Sequence, residues 1–215
     1  MTTFVLASAS PARRAVLRAA GLDPVIRVSG VDEDAVLDAL ADNPAAERVL
    51  ALAQAKARAV LDDPDAVPAD DDLVVLGCDS MLLLGGELQG KPATSDEARR
   101  RWSAMAGRTG ELLTGHWVIR RQDGAVTAET GTTAVSQVHL GRPDDDEVEA
   151  YLATGEPLAV AGALTIDGYG GWFVDGVSGD PSNVIGVSLP TVRRLLREVG
   201  VRVTDLWVPP SPATR

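Results

Sequence analysis

A chain of 215 residues, 45% apolar and 24% charged, is long enough to bury a substantial core and ordinary enough in composition to be globular. Its net charge of −11 repels duplex nucleic acid and anionic membrane, so neither is an expected partner. No apolar run is long enough to span a bilayer, no basic segment opens the chain as in a signal peptide, and the single cysteine excludes an internal disulfide. A cytoplasmic protein is expected.

Taken in order, Phe4–Ala7 is a short strand that runs through Ser8 and Ser10 into a helix. Ser10 suits the cap, Pro11 the first helical position and Gly21 the stop. Such a strand, loop and helix start forms an anion site, because unpaired N–H groups and the helix dipole face the loop. Arg13 lies one turn before Val16 and Leu17 and shares their apolar stripe, so it needs an anionic partner. Arg14 points away from that stripe and reads as a surface arginine. A second strand is expected at Val25–Val28. The acids Asp32, Glu33 and Asp34 then form a solvated face or a helix start, or place a carboxylate beside the first loop.

A long helix is predicted from Pro44 to Leu61 with Asn43 as its cap. Lys56 sits on the flank of its apolar stripe, where a lysine either snorkels past the core edge or reaches a buried anion. The Asp-rich stretch 62–72 is an acidic surface connector. Next, Gly77-Cys78-Asp79-Ser80 separates two apolar runs, 73–76 and 81–84. Asp79 is either a solvated acid in a bend shaped by Gly77 and Ser80 or a buried carboxylate that requires a partner. Cys78 reads as a small core residue.

Gly85-Gly86 is a hairpin turn, followed by a return strand that ends in Gly90-Lys91-Pro92. Thr94 opens a helix in capping-box form, stopped by Gly107. Strands are expected at Leu112–Arg121 and Val126–Leu140, a helix after Pro143, a turn from Gly168 into an aromatic strand through Trp172 and Phe173, a loop over 176–186 and a last helix at Pro190–Val199. The Pro-rich tail 208–215 follows a single domain at 1–207. Alternating elements argue for an α/β class with a central mixed β-sheet flanked by helices. His116, His139 and Cys78 have no zinc-ligand spacing, so any metal is a hard cation on carboxylates. The Rossmann, Walker A and Gly-x-Ser-x-Gly patterns are absent. An anion-binding loop, unusual cations and a carboxylate in an apolar run together suit a phosphorylated substrate with a divalent cation.

Five segments in order, Leu6-Ala7-Ser8-Ala9-Ser10-Pro11 with Arg13, Ala53-Gln54-Ala55-Lys56-Ala57, Gly77-Cys78-Asp79-Ser80, Gly90-Lys91-Pro92 and Gly179-Asp180-Pro181-Ser182-Asn183-Val184-Ile185-Gly186, resemble the Maf family of septum-formation-inhibitor-like nucleotide pyrophosphatases. The resemblance spans Phe4 to about Val199. It implies two lobes enclosing a cleft, and metal-dependent hydrolysis of nucleoside triphosphates, modified ones among them, to a monophosphate and diphosphate with Mg²⁺ or Mn²⁺. It implies Asp79 as proton acceptor, Ser8, Arg13, Lys56 and Lys91 as phosphate contacts, and Glu33 with Asp79 near the metal. The family usually has two arginines directly after Ser-x-Ser-Pro; here Ala12 takes the first place, so Arg14 is a substrate-contact candidate through the resemblance alone. Asp167 stands where the pyrimidine-preferring branch has Gln, which makes it a candidate contact and leaves the base open. Asp79 is expected to have a metal rather than a lysine as its main partner. A nucleotide-binding regulator of septum formation without catalysis, and a general phosphatase releasing orthophosphate, are the rival readings. A homodimer is compatible with all three.

Overall fold

The computed structural model describes residues 2–63 and 72–208. Most of the acidic connector and the Pro-rich tail therefore lie outside the described residues. Seven strands form one mixed sheet in the order β2-β1-β3-β5-β6-β7, with β4 paired to β3. The strands are β1 (Thr3–Ala7), β2 (Val25–Ile26), β3 (Asp72–Leu84), β4 (Glu87–Gln89), β5 (Thr109–Gln122), β6 (Ala125–Leu140) and β7 (Val174–Ser178). The α-helices are α1 (Pro11–Ala19), α2 (Glu33–Ala39), α3 (Ala45–Asp62), α4 (Ser95–Met105), α5 (Asp145–Ala153), α6 (Pro181–Ile185) and α7 (Leu189–Glu198). This is the expected α/β class.

The chain divides into two compact units that share the long strands β3, β5 and β6. The first comprises residues 1–79, 115–133 and 189–215, and the second 80–114 and 134–188. In the first, β1 pairs in parallel with both β2 and β3, with Ala7 opposite Gly77. A core of Val5, Ala7, Ala57, Val60, Leu73, Val75 and Ile119 packs α3 onto these strands. The second unit has its own core around Trp102, whose indole N–H donates to the Ala163 carbonyl at 3.0 Å. Trp102, Tyr151 and Phe173 meet pairwise edge to face, with centroids 5.7–5.8 Å apart. Such pairs add about 0.5–1.5 kcal/mol each beyond burial.

Several predicted elements differ in detail. The two apolar runs flanking Gly77–Ser80 are one unbroken strand, so no bend occurs there. Pro44, not Asn43, occupies the cap position of α3, and the Asn43 amide donates instead to Glu47 at 2.9 Å. The second strand stops at Ile26. The aromatic run is a 3₁₀ turn, Tyr169–Phe173, because Gly168, Gly170 and Gly171 favour tight local turns; the strand starts only at Val174. The expected loop over 176–186 contains the end of β7 and the short helix α6, capped by Asp180. The Gly85-Gly86 hairpin is as expected, with φ of 61° and 90°.

Candidate active site

Gly77 is glycine because α3 crosses β3 there. A Cβ at this position would lie 2.1 Å from the Ala53 carbonyl and 2.9 Å from the Ala57 backbone nitrogen. Side chains alternate along a strand, so Asp79, two residues on, faces the same side and meets the same helix. Between Ala53 and Ala57, α3 presents Lys56. The sequence therefore brings a lysine and an aspartate together through a glycine that serves helix–strand contact rather than a turn.

The Lys56 ammonium donates to Asp79 Oδ1 at 2.5 Å. Both residues are buried, at 8% and 6% exposure, which removes the solvated-acid alternative for Asp79 and the snorkelling one for Lys56. The same ammonium lies 2.8 Å from Glu33 Oε1. Glu33 is the first residue of α2, placed by Asp32, whose side chain caps the helix by accepting from the Ala35 N–H. The Glu33 side chain remains 53% exposed, so one acid of the pair is buried and the other faces solvent.

Arg13 completes the group from the β1–α1 loop. Its guanidinium donates to Ser8 Oγ and to the Cys78 carbonyl, both at 2.9 Å. Ser8 Oγ also accepts from the Ser10 N–H, and Ser10 Oγ caps α1 through the Arg13 N–H. The serine loop is thus tied to the residue that precedes Asp79. The contact with Cys78 has no signature in the sequence, since it is a backbone carbonyl 65 residues away. Arg14 is exposed on α1, as its helical position predicts.

Burial pushes the Asp79 carboxyl above the usual carboxylate range; Lys56 and Arg13 pull it down, and the Glu33 charge adds to the rise. Burial likewise pushes the Cys78 thiol up to about 11, in keeping with an inert core residue. The result is a buried carboxylate with enhanced proton affinity beside two cations and a serine-lined helix start. That arrangement can hold an anionic ligand and accept a proton from a nucleophile.

Glu33 and Asp79 point two carboxylates at one place. This fits a hard divalent cation that takes its remaining ligands from phosphate oxygens and water, as Mg²⁺ commonly does. Among the described residues no group of three or more His, Cys, Asp and Glu offers an all-protein cage.

Lys91 and Asp167 belong to the second unit, and both are exposed. The carbonyl of Gly90, next to Lys91, accepts from the Gly162 N–H at 2.9 Å and from the Arg101 guanidinium at 2.6 Å. Asp167 lies in a segment organised by Glu156, a residue the sequence does not single out. Glu156 accepts from the Thr165 and Tyr151 hydroxyls and from the Tyr169 and Gly170 N–H groups, at 2.5–3.0 Å. A Cβ on Gly170 would come within 2.5 Å of the Tyr151 hydroxyl, so this turn closes only around glycine.

A family model described as Maf-like protein matches residues 3–199. The chain belongs to the Maf-like family. Its Maf-like sequence is 60% identical to a nucleoside triphosphate pyrophosphatase of Nocardia farcinica (strain IFM 10152), covering 98% of this chain and 99% of the relative. It is 61% identical to one of Rhodococcus jostii (strain RHA1), covering 96% and 97%. One of Mycolicibacterium gilvum (strain PYR-GCK) shares 54%, covering 96% and 99%. The five motifs read from the sequence all fall inside the Maf-like match, and those carrying Ser8, Arg13, Lys56 and Asp79 supply the buried cluster.

Proposed function

We propose that this Maf-like chain is a nucleoside triphosphate pyrophosphatase that hydrolyses the α–β phosphoanhydride bond and releases a nucleoside monophosphate and diphosphate. The near full-length identity to relatives bearing that name supports the reaction class. The observation that carries the residue roles is the buried Asp79 carboxylate, paired with Lys56 and set beside Arg13 and the serine loop.

Asp79 accepts the proton of a water that attacks the α-phosphorus, and the diphosphate leaves with the electrons of the broken P–O bond. A carboxyl with raised proton affinity is the better base for this step. Ser8 and the α1 N-terminus bind phosphate oxygens through O–H and N–H donors, and Arg13 and Lys56 offset their charge. Lys91 and Asp167 are the contacts proposed from the second unit, Lys91 to phosphate and Asp167 on the base side; the anchored Gly90 carbonyl and the Glu156 hub support them by holding both segments in place. Mg²⁺ or Mn²⁺ held by Glu33 and Asp79 would neutralise charge on the phosphate oxygens.

The proposed compartment is the cytoplasm, supported by the free, buried Cys78; no helix among the described residues is long and apolar enough to cross a membrane. The test is product analysis over a panel of common and modified nucleoside triphosphates, with and without Mg²⁺. Diphosphate with monophosphate is expected. Orthophosphate as the first product would overturn the bond assignment, and nucleotide binding without any product would favour a regulator.

A further inference from the structure

Two carboxylates that converge on one point need a cation there. Glu33 approaches from α2 and Asp79 from β3, and both bond to the single ammonium of Lys56, at 2.8 and 2.5 Å. Their oxygens can stand no farther apart than the sum of those two distances. A hard cation with bonds of about 2.0–2.1 Å closes such a gap with small side-chain rotations. The ammonium that fills it now rides on a flexible four-carbon stem, a point charge able to swing. Glu33, being half exposed, gives that movement an open side.

Asp79 has a cationic partner in each of two states. With Lys56 in place, one positive charge holds two negative ones. With a divalent ion in place both acids are neutralised, and the released ammonium is free to meet a phosphate oxygen. Neither state leaves Asp79 buried without a partner, a condition that would be strongly destabilising.

We infer that Lys56 is a placeholder cation: its ammonium occupies the position between Glu33 and Asp79 that the divalent ion takes when substrate binds, and transfers to the substrate's phosphate as the ion arrives. This rests on the metal-dependent reading of the site. It gives the lysine a role beyond phosphate contact. A free divalent ion must expel an ammonium and so binds weakly, whereas an ion carried by a nucleotide brings the phosphate that receives it.

The test is a direct titration of the full chain with Mn²⁺ alone, without nucleotide, read by electron paramagnetic resonance of the free ion. Lys56→Met and Lys56→Gln are each expected to bind Mn²⁺ about tenfold or more tightly than the wild type, since a positive charge has left the ion's position. The Glu33→Gln/Lys56→Met double variant is expected to lose that gain. Unchanged or weaker Mn²⁺ binding in the two lysine variants overturns the inference. The wild type supplies a readout that depends on no variant folding. The Lys56 Cε carbon resonance is expected to shift when Mg²⁺ and a non-hydrolysable nucleoside triphosphate are added together, and an unmoved resonance at saturation overturns the inference. The two readings fail separately. A chain that releases diphosphate but gains no Mn²⁺ affinity on losing Lys56 keeps the proposed function and loses the placeholder. A chain with tightened Mn²⁺ binding and no turnover keeps the placeholder and loses the proposed function.

Discussion

Asp79 in the first unit is a buried carboxylate and Glu156 in the second a partly buried one, and their surroundings push them in opposite directions. Burial raises the proton affinity of Asp79 and prevails over Lys56 and Arg13. Burial also acts on Glu156, but Thr165, the Gly170 and Tyr169 N–H groups and Tyr151 together outweigh it and hold that carboxyl low. Four neutral donors, two hydroxyls and two backbone N–H groups, converge on the Glu156 carboxylate and make it an anchor. A carboxylate deeper in the protein, paired with Lys56 and near Arg13, keeps a raised affinity for protons. Depth of burial and the number of donors together separate the structural acid from the chemical one.

The largest expected effect breaks the chemical side of this comparison. Asp79→Asn keeps the size of the side chain and removes the base, so diphosphate release should fall by about 10²–10⁴-fold. Its circular dichroism should remain that of the wild type. Near-normal turnover in this variant would remove Asp79 from the chemistry.

Breaking the structural side should leave the opposite trace. Glu156→Gln places an amide NH₂ where donors converge, and at neutral pH it should cost about 1.5–3 kcal/mol of stability in urea unfolding. Its pH dependence follows from the sign of the shift. Since the folded pKa lies below the unfolded one, the unfolded chain binds more protons as the solution is acidified. The stabilisation is full above the unfolded glutamate value of about 4.3 and disappears as pH falls through the lower folded value. The stability gap between wild type and Glu156→Gln should therefore close on acidification. A gap that stays constant into strong acid would mean that the carboxylate charge is not what the donors hold.

Asp79 sharpens the contrast with the reverse sign. A raised folded pKa means that its ionised form is disfavoured in the native state, so the acid limb of kcat/KM should fall above the ordinary aspartate value of about 3.9. The limb should be absent from whatever activity Asp79→Asn retains. An acid limb at or below the ordinary value would show that the cations outweigh burial at this carboxyl.

This contrast also explains what the sequence made legible. The cap at Ser10, the hairpin glycines, the α/β alternation and the inward side of Arg13 are local patterns, and local patterns persist in the fold. Lys56 was ambiguous because a helix flank looks the same whether it meets water or an anion. Only the close crossing at Gly77 brings Asp79 to it. Gly77 itself reads as a turn residue in sequence, since nothing local distinguishes a glycine needed for a bend from one needed for contact with a distant helix. Glu156 is invisible for a similar reason, as three of its donors lie 9 to 14 residues away, in and before a glycine-rich turn whose sequence does not show what it closes around.

The smallest predicted effect concerns the adjacent arginines, where the sequence departs from the family's usual pattern at Ala12. Arg13 and Arg14 carry the same charge one residue apart, but successive helical positions face about 100° apart, and only Arg13 turns toward Ser8 and Cys78. Arg13→Lys keeps the charge and loses the planar fork that reaches two acceptors, so it should lower kcat/KM by about tenfold, the cost of roughly one such hydrogen bond. Arg14→Lys and Arg14→Ala should each stay within about twofold, as expected for an exposed cation screened by solvent. Raising the salt concentration should erase any residual Arg14 effect while leaving that of Arg13. If instead Arg14→Ala proved as damaging as Arg13→Lys, the outward arginine would be reaching the nucleotide from the rim, and the Ala12 substitution would have moved the second phosphate contact along the helix rather than removed it.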